Sequence, residues 1–190
     1  MTNKKAILVH ACCASCSSYV LAHLAATYDV TAYFFNPNIH PESEYELRLE
    51  EMKQVCETLG VRLMEGDYRT LRWWKELAPF KDLPEKSERC WTCYRFRLES
   101  TAKRAVDLGM GLFTTTLSVS PHKVHERIVS IGNELAATYG LDFLSEDFKK
   151  SNGFKISIER SKEMKLTRQD YCGCLMSLNE ARKRKNSSSA

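Results

Sequence analysis

Short apolar runs alternate with helical stretches through most of the chain, and this alternation constrains the fold more than any other feature of the sequence. Ala6-Ile7-Leu8-Val9 is an apolar run between polar flanks and reads as a buried strand. A helix is predicted over residues 18–28, with Ser15 or Ser17 as its cap. Val30-Thr31-Ala32-Tyr33-Phe34-Phe35 is β-branched and aromatic, and Asn36-Pro37-Asn38 stops it. Tyr45, Leu49, Met52, Val55 and Cys56 recur near helical spacing over residues 42–59, and Gly60 ends that helix. Residues 61–64 read as a third strand. A short helix at 71–77, a Pro-punctuated loop at 79–89 and a helix at 90–108 follow. A strand at 112–117, a helix at 122–139 and a strand at 141–144 come next, then basic helical segments at 158–164 and 168–184.

Strands and helices in this order specify a parallel sheet with crossover helices. The expected fold is α/β: a Rossmann-like parallel sheet of about five strands with flanking helices and a helical C-terminal part. Residues 1–185 are expected to form one domain and residues 186–190 a polar tail. A chain of 190 residues with 43% hydrophobic content buries roughly 70% of its unfolded surface, so it needs no disulfide staples. In open parallel sheets, ligands collect beyond the carboxyl ends of the strands. The turn after the first strand lacks a glycine-rich phosphate loop and carries Cys12-Cys13-Ala14-Ser15-Cys16-Ser17 in its place.

The apolar run at residues 6–9 is too short for a signal peptide, and no apolar stretch is long enough to span a membrane. A cytoplasmic location without a membrane partner is the expectation. In that reducing compartment, eight cysteines point to metal binding or redox chemistry rather than structural disulfides. Cys12 and Cys13 are adjacent at a strand-to-helix junction, where helical N–H groups favour thiolates. Cys90-Trp91-Thr92-Cys93 is a CxxC opening a predicted helix, so its sulfurs can converge. These four thiols suit a [4Fe-4S] cluster or a closed zinc site, because spacing does not identify the metal. Cys172-Gly173-Cys174 is a separate CxC, fit for a reversible disulfide, for a second metal, or as two inert buried thiols. Cys16 is a reserve ligand or a packing residue, and Cys56, on an apolar helix face, is core. His10 either serves the first cysteine pair or is a hydrogen-bonded core histidine; His40, His122 and His125 are weaker candidates. Trp73-Trp74 packs in the core or stacks on a base.

The net charge of +4 is unevenly placed. Residues 149–190 hold eleven Lys/Arg against four Asp/Glu, a net of +7, while residues 1–148 carry −3. A cationic C-terminal quarter suits an anionic partner such as RNA, or is simply a solvated helix face. Lys149, Lys150, Lys155, Arg182, Lys183, Arg184 and Lys185 are its candidate phosphate contacts.

Four motifs occur in order: His10-Ala11-Cys12-Cys13; Arg89-Cys90-Trp91-Thr92-Cys93-Tyr94 with Arg97-Leu98; Phe113-Thr114-Thr115-Thr116-Leu117-Ser118-Val119-Ser120-Pro121-His122-Lys123; and Tyr171-Cys172-Gly173-Cys174. Together they resemble the QueH-type epoxyqueuosine reductase family over nearly the whole chain. The resemblance implies a Rossmann-like domain related to the adenine nucleotide alpha-hydrolase superfamily. It implies reduction of the epoxide of epoxyqueuosine, in a tRNA anticodon, to the cyclopentene of queuosine, with two electrons, two protons, loss of water and no cobalamin. By motif, Cys12, Cys13, Cys90 and Cys93 become ligands of a [4Fe-4S] cluster. Cys172 and Cys174 become a redox-active pair or ligands of an additional mononuclear iron. Tyr171, Asp170 and His10 are candidate proton donors. The implied partners are tRNA bearing epoxyqueuosine and an unidentified electron donor. Two alternatives stand beside this: an ATP-dependent tRNA sulfur-transfer enzyme, expected to keep a glycine- and serine-rich pyrophosphate loop, and a non-catalytic zinc-stabilised RNA-binding module.

Overall fold

The computed structural model describes residues 4–187. Five strands, β1 (Ala6–His10), β2 (Asp29–Phe34), β3 (Arg62–Glu65), β4 (Leu112–Thr115) and β5 (Asp142–Phe143), alternate with helices. The helices are α1 (Ala14–Ala25), α2 (Glu42–Leu59), α3 (Thr70–Leu77), α4 (Glu88–Asp107), α5 (His125–Tyr139), α6 (Gly153–Glu163) and α7 (Leu175–Ser187). Every strand pair is parallel, in the order β3-β2-β1-β4-β5. The expected α/β architecture is therefore present.

β1 is the central strand, with Leu8 opposite Thr31 on one side and Phe113 on the other. Its Ile7, Leu8 and Val9 are fully buried, as a strand covered on both faces must be. The alternation of side chains divides them between two cores. Ile7 and Val9 pack with Val20, Leu21, Met52 and Val55 of α1 and α2. Leu8 packs with Leu98, Phe113, Ile128 and Leu135, from α4, β4 and α5. The strand order reverses between β1 and β4, which opens a crevice at their carboxyl ends. His10, Cys12 and Cys13 emerge at that crevice from β1, and Thr115 and Thr116 from β4.

Several boundaries differ from expectation. Helix α1 starts at Ala14 with Cys13 at its N-cap and no side-chain cap. Neither serine caps it, because the Ser15 hydroxyl donates to Thr167 O at 3.2 Å and Ser17 Oγ is buried without a partner. β4 ends at Thr115, whose Oγ1 accepts the Leu117 N–H and tips the chain into a 3₁₀ turn at Thr116–Val119. The CxC is not helical: Gly173 has φ +121° and α7 begins only at Leu175. A side chain at Gly173 would place its Cβ 3.0 Å from Ile39 Cγ1 and 3.2 Å from Arg48 Nη1. Both the backbone conformation and the space therefore require glycine there. Among the described residues, no helix is long and apolar enough to cross a membrane.

Candidate metal and redox centre

The early start of α1 decides the first half of the site. With Cys13 as N-cap, Cys16 lies within the first helical turn, and the sulfurs of Cys12, Cys13 and Cys16 all fall within 4.8 Å of one another. Thr116 fixes Cys12 twice: its Oγ1 accepts the Cys12 N–H at 3.1 Å and donates to Cys12 Sγ at 3.2 Å. Hydrogen bonds from the thiols of Cys13 and Cys16 hold the Cys12 thiol well below its ordinary range, against burial and with help from Arg97. The Cys13 thiol is pushed up to about 12 by its bond to Cys12, and Cys16 rises for the same reason. Cys12 is thus the sulfur of the three whose ionised, metal-binding form the surroundings favour.

Helix α4 supplies the cation that faces this charge. Arg97 is 2% exposed; its Nη2 donates to Asn36 Oδ1 at 2.6 Å and its Nε to His10 Nε2 at 3.3 Å. His10 Nε2 also lies 3.3 Å from Phe35 O, and Nδ1 lies 2.8 Å from Thr115 Oγ1, so both ring nitrogens are engaged. Burial, then Arg97, pushes His10 down to about 3 from its ordinary 6.5, so it is a neutral positioning group and not a proton donor near neutral pH. The depressed value has a measurable sign. Above pH 6.5, His10 is neutral in both folded and unfolded states and adds no pH dependence. Below 6.5 only the unfolded state takes up the proton, so stability falls by about 1.4 kcal/mol per pH unit until the folded state also protonates. Metal-free protein should therefore lose about 2 kcal/mol more between pH 7 and pH 5 than the His10→Gln variant, read by urea unfolding. Equal losses in the two proteins would contradict a neutral His10.

Cys90 and Cys93 occupy the first turns of α4 and do not join the Cys12–Cys13–Cys16 group. Cys93 packs instead with Trp73, Leu77 and Cys174, and the Trp73 indole N–H donates to Cys93 Sγ at 3.4 Å. The CxC segment is tied to the body by loop and side-chain bonds. His40 N donates to Gly173 O at 2.8 Å, Arg48 Nη1 to Cys172 O at 3.3 Å and Tyr171 Oη to His40 O at 2.8 Å. Arg89 clasps Glu180 of α7 through both guanidinium nitrogens, at 3.0 and 3.2 Å. Lys123 Nζ lies 2.9 Å from Cys172 Sγ. Burial alone would raise the Cys172 thiol, but Lys123 and Arg97 outweigh it and hold it below its ordinary value. Cys174 is pushed up to about 11 by burial and by Cys172. Of the pair, Cys172 is thus the sulfur whose thiolate is favoured and Cys174 the one that holds its proton, and all eight cysteines are free.

A cavity of about 490 Å³ joins these parts. Cys12, Cys13, Cys16 and Cys172 line it, with Arg48, Arg97 and Lys123 among them; Tyr171 and Asp170 also reach it. Cys90, Cys93 and Cys174 are not on its wall. Tyr171 spends its hydroxyl proton on His40 O, and Asp170 is paired with Lys185. Cys56 lies in the core, its thiol pushed up to about 12 by burial. Trp73 is fully buried and Trp74 donates to His40 Nε2 at 3.1 Å, so both indoles pack rather than face the cavity.

Arg97 and Lys123 occur in the motifs but their work was not assigned from sequence. One signal was available for Arg97: it follows Cys90 and Cys93 by seven and four residues, which is one face of a helix.

A model of the epoxyqueuosine reductase QueH family matches residues 7–180. The chain is 37% identical over 178 residues to epoxyqueuosine reductase QueH of Streptococcus pyogenes serotype M1, covering 90% of this chain and 70% of that protein. It is 37% identical over 181 residues to the Thermotoga maritima protein of the same name, covering 94% and 93%. The Helicobacter pylori protein of that name is 37% identical over 190 residues, and the match spans about half of it, 52%. A match that runs from β1 into α7, together with relatives at this identity over most of their length, places the chain in the epoxyqueuosine reductase QueH family.

Proposed function

We propose that this chain reduces the epoxide of epoxyqueuosine in tRNA to queuosine at a metal–thiolate centre beneath the cavity. The observation that carries the reading is the gathering of Cys12, Cys13, Cys16 and Cys172 around one cavity with the buried Arg48 and Arg97 and the half-buried Lys123. Thiolates this close, offset by Arg97 and Arg48, are a donor set for iron and an unlikely set for a nucleotide phosphate. Cys12, Cys13, Cys90 and Cys93 would hold a [4Fe-4S] cluster. A second ligand set, with Cys16 replacing one CxxC thiol, is favoured by the three sulfurs within 4.8 Å. When bound, the cluster supplies electrons one at a time and a Lewis-acidic iron.

The chain's own groups do the rest. Arg97 and Lys123 keep anionic sulfur stable in a buried wall. Cys172 and Cys174 hold two electrons as a dithiol. Conversion of epoxide to alkene consumes those two electrons and two protons, releases water and leaves the disulfide. An external electron donor then restores the dithiol. Anaerobic iron-loaded protein, pre-reduced and freed of reductant, should convert epoxyqueuosine-tRNA and leave Cys172 and Cys174 protected from alkylation. Added reductant should restore turnover. A fully loaded protein that forms no queuosine under either condition would end this reading.

A further inference from the structure

One wall of the cavity is the α6 face, which none of the chemistry above uses. Phe154, Ser157, Ile158 and Ser161 line it at helical spacing. The two serines are buried and spend their hydroxyl protons on the carbonyls of Phe154 and Ser157, at 2.8 and 2.7 Å. The surface they leave is apolar. Phe154 and Ile158 are half-buried, yet neither belongs to a hydrophobic cluster of the core. A benzyl and a sec-butyl group one turn apart therefore face a cavity instead of packing inward. Arg168 and Arg184 share the cavity lining with them. Arg168 is exposed, and its side chain has no hydrogen bond or ion pair among the described residues. Arg184 comes from α7, while Asp170, also on the lining, is engaged by Lys185.

We propose that this wall is a one-nucleotide subsite, in which the modified base lies against Phe154 and Ile158 and Arg168 holds the adjoining backbone phosphate. The assignment rests on the function proposed above and names where its substrate sits. The cavity, at 490 Å³, falls within the roughly 300–1,000 Å³ of small-molecule sites. A base in an anticodon loop must leave its stack to reach a recessed centre, and an aromatic or apolar wall replaces the lost stacking. A guanidinium matches phosphate in two hydrogen bonds, which fixes register without reading sequence. With base and phosphate so held, the substituent on the base shares one cavity with Cys12 and Cys172.

Equilibrium binding to oxidised, iron-loaded protein tests this without turnover. The probes are epoxyqueuosine nucleoside, its 5′-monophosphate and an anticodon stem-loop containing it. Wild type should bind the monophosphate more tightly than the nucleoside. Arg168→Gln should weaken the monophosphate and stem-loop on the order of tenfold and leave the nucleoside unchanged. Phe154→Ala should weaken all three on the order of tenfold, and Phe154→Tyr should restore them. Iron content and visible spectrum should not move in any variant. Arg168→Gln with unchanged monophosphate binding would remove the phosphate subsite. Phe154→Ala with unchanged nucleoside binding would remove the stacking wall. Failure of wild type to bind any of the three probes would sink the underlying tRNA function as well.

Discussion

Serine at Cys12 or Cys13 should give a folded protein that holds little iron and has no turnover above background. Serine keeps the shape of cysteine closely enough for the sheet and α1 to form: Cys12 is half-buried, and Cys13, though buried, sits at the N-cap of α1. It does not supply a thiolate. At Cys12 the change removes the thiol whose ionised form Cys13, Cys16, Arg97 and Thr116 all favour, and the Thr116 hydroxyl loses its sulfur acceptor. Cys90→Ser and Cys93→Ser should behave alike, and Cys56→Ser should keep iron and activity, because Cys56 is core. Iron and sulfide analysis with far-ultraviolet circular dichroism separates lost metal from lost fold. Full iron and normal turnover in the Cys12, Cys13, Cys90 and Cys93 variants would exclude that ligand set. Cys16→Ser arbitrates between the two sets: iron is retained with the CxxC pair as ligands and lost with Cys16 among them.

Arg97→Met should destabilise the metal-free protein by about 3 kcal/mol and abolish turnover. The substitution keeps most of the side-chain volume, so cavity formation is not the cause. It removes the guanidinium beside the buried His10 Nε2 and strips the donor from the buried Asn36 Oδ1. An orphaned buried acceptor costs about 1–3 kcal/mol. It also removes the positive charge that acts on Cys12, Cys93 and Cys172 together. Arg97→Lys keeps the charge but not both directed bonds, so it should fall between wild type and Arg97→Met. Urea unfolding gives the stability and iron titration the affinity; an unchanged unfolding midpoint for Arg97→Met would show that the network carries no stability.

The sheet was legible because its strands are short apolar runs whose burial leaves a direct mark on composition, as at Ile7-Leu8-Val9. The thiols were legible because cysteine spacing is rare and specific. What escaped were interactions that charge patterns conceal. Arg97 and Arg89 sit in a helix rich in charge, where a cation ordinarily marks a solvated face, yet both are buried. Lys123 follows Pro121 in a loop, and no periodicity signals that its ammonium meets Cys172 from 49 positions away. Cys16 was visible three residues after Cys13, but starting α1 late, at a serine cap, moved it out of the first turn. The CxC was drawn into a helix by the basic stretch around it. The left-handed backbone at Gly173, set by contact with residues 38–48, has no local signature beyond the glycine itself.

The contacts that hold the CxC segment are loop and side-chain bonds, and among the described residues none is a strand pairing. Such a segment breathes on its own, with an opening free energy below that of the sheet against which it rests. The two halves of the centre therefore differ in anchorage: the β1 turn is held by the parallel sheet and by Thr116, whereas the CxC segment can open in a sub-global excursion. How fast the dithiol meets an oxidant or a reducing protein is then governed by that excursion, and warming or mild denaturant will change sulfur reactivity before the secondary structure registers any loss.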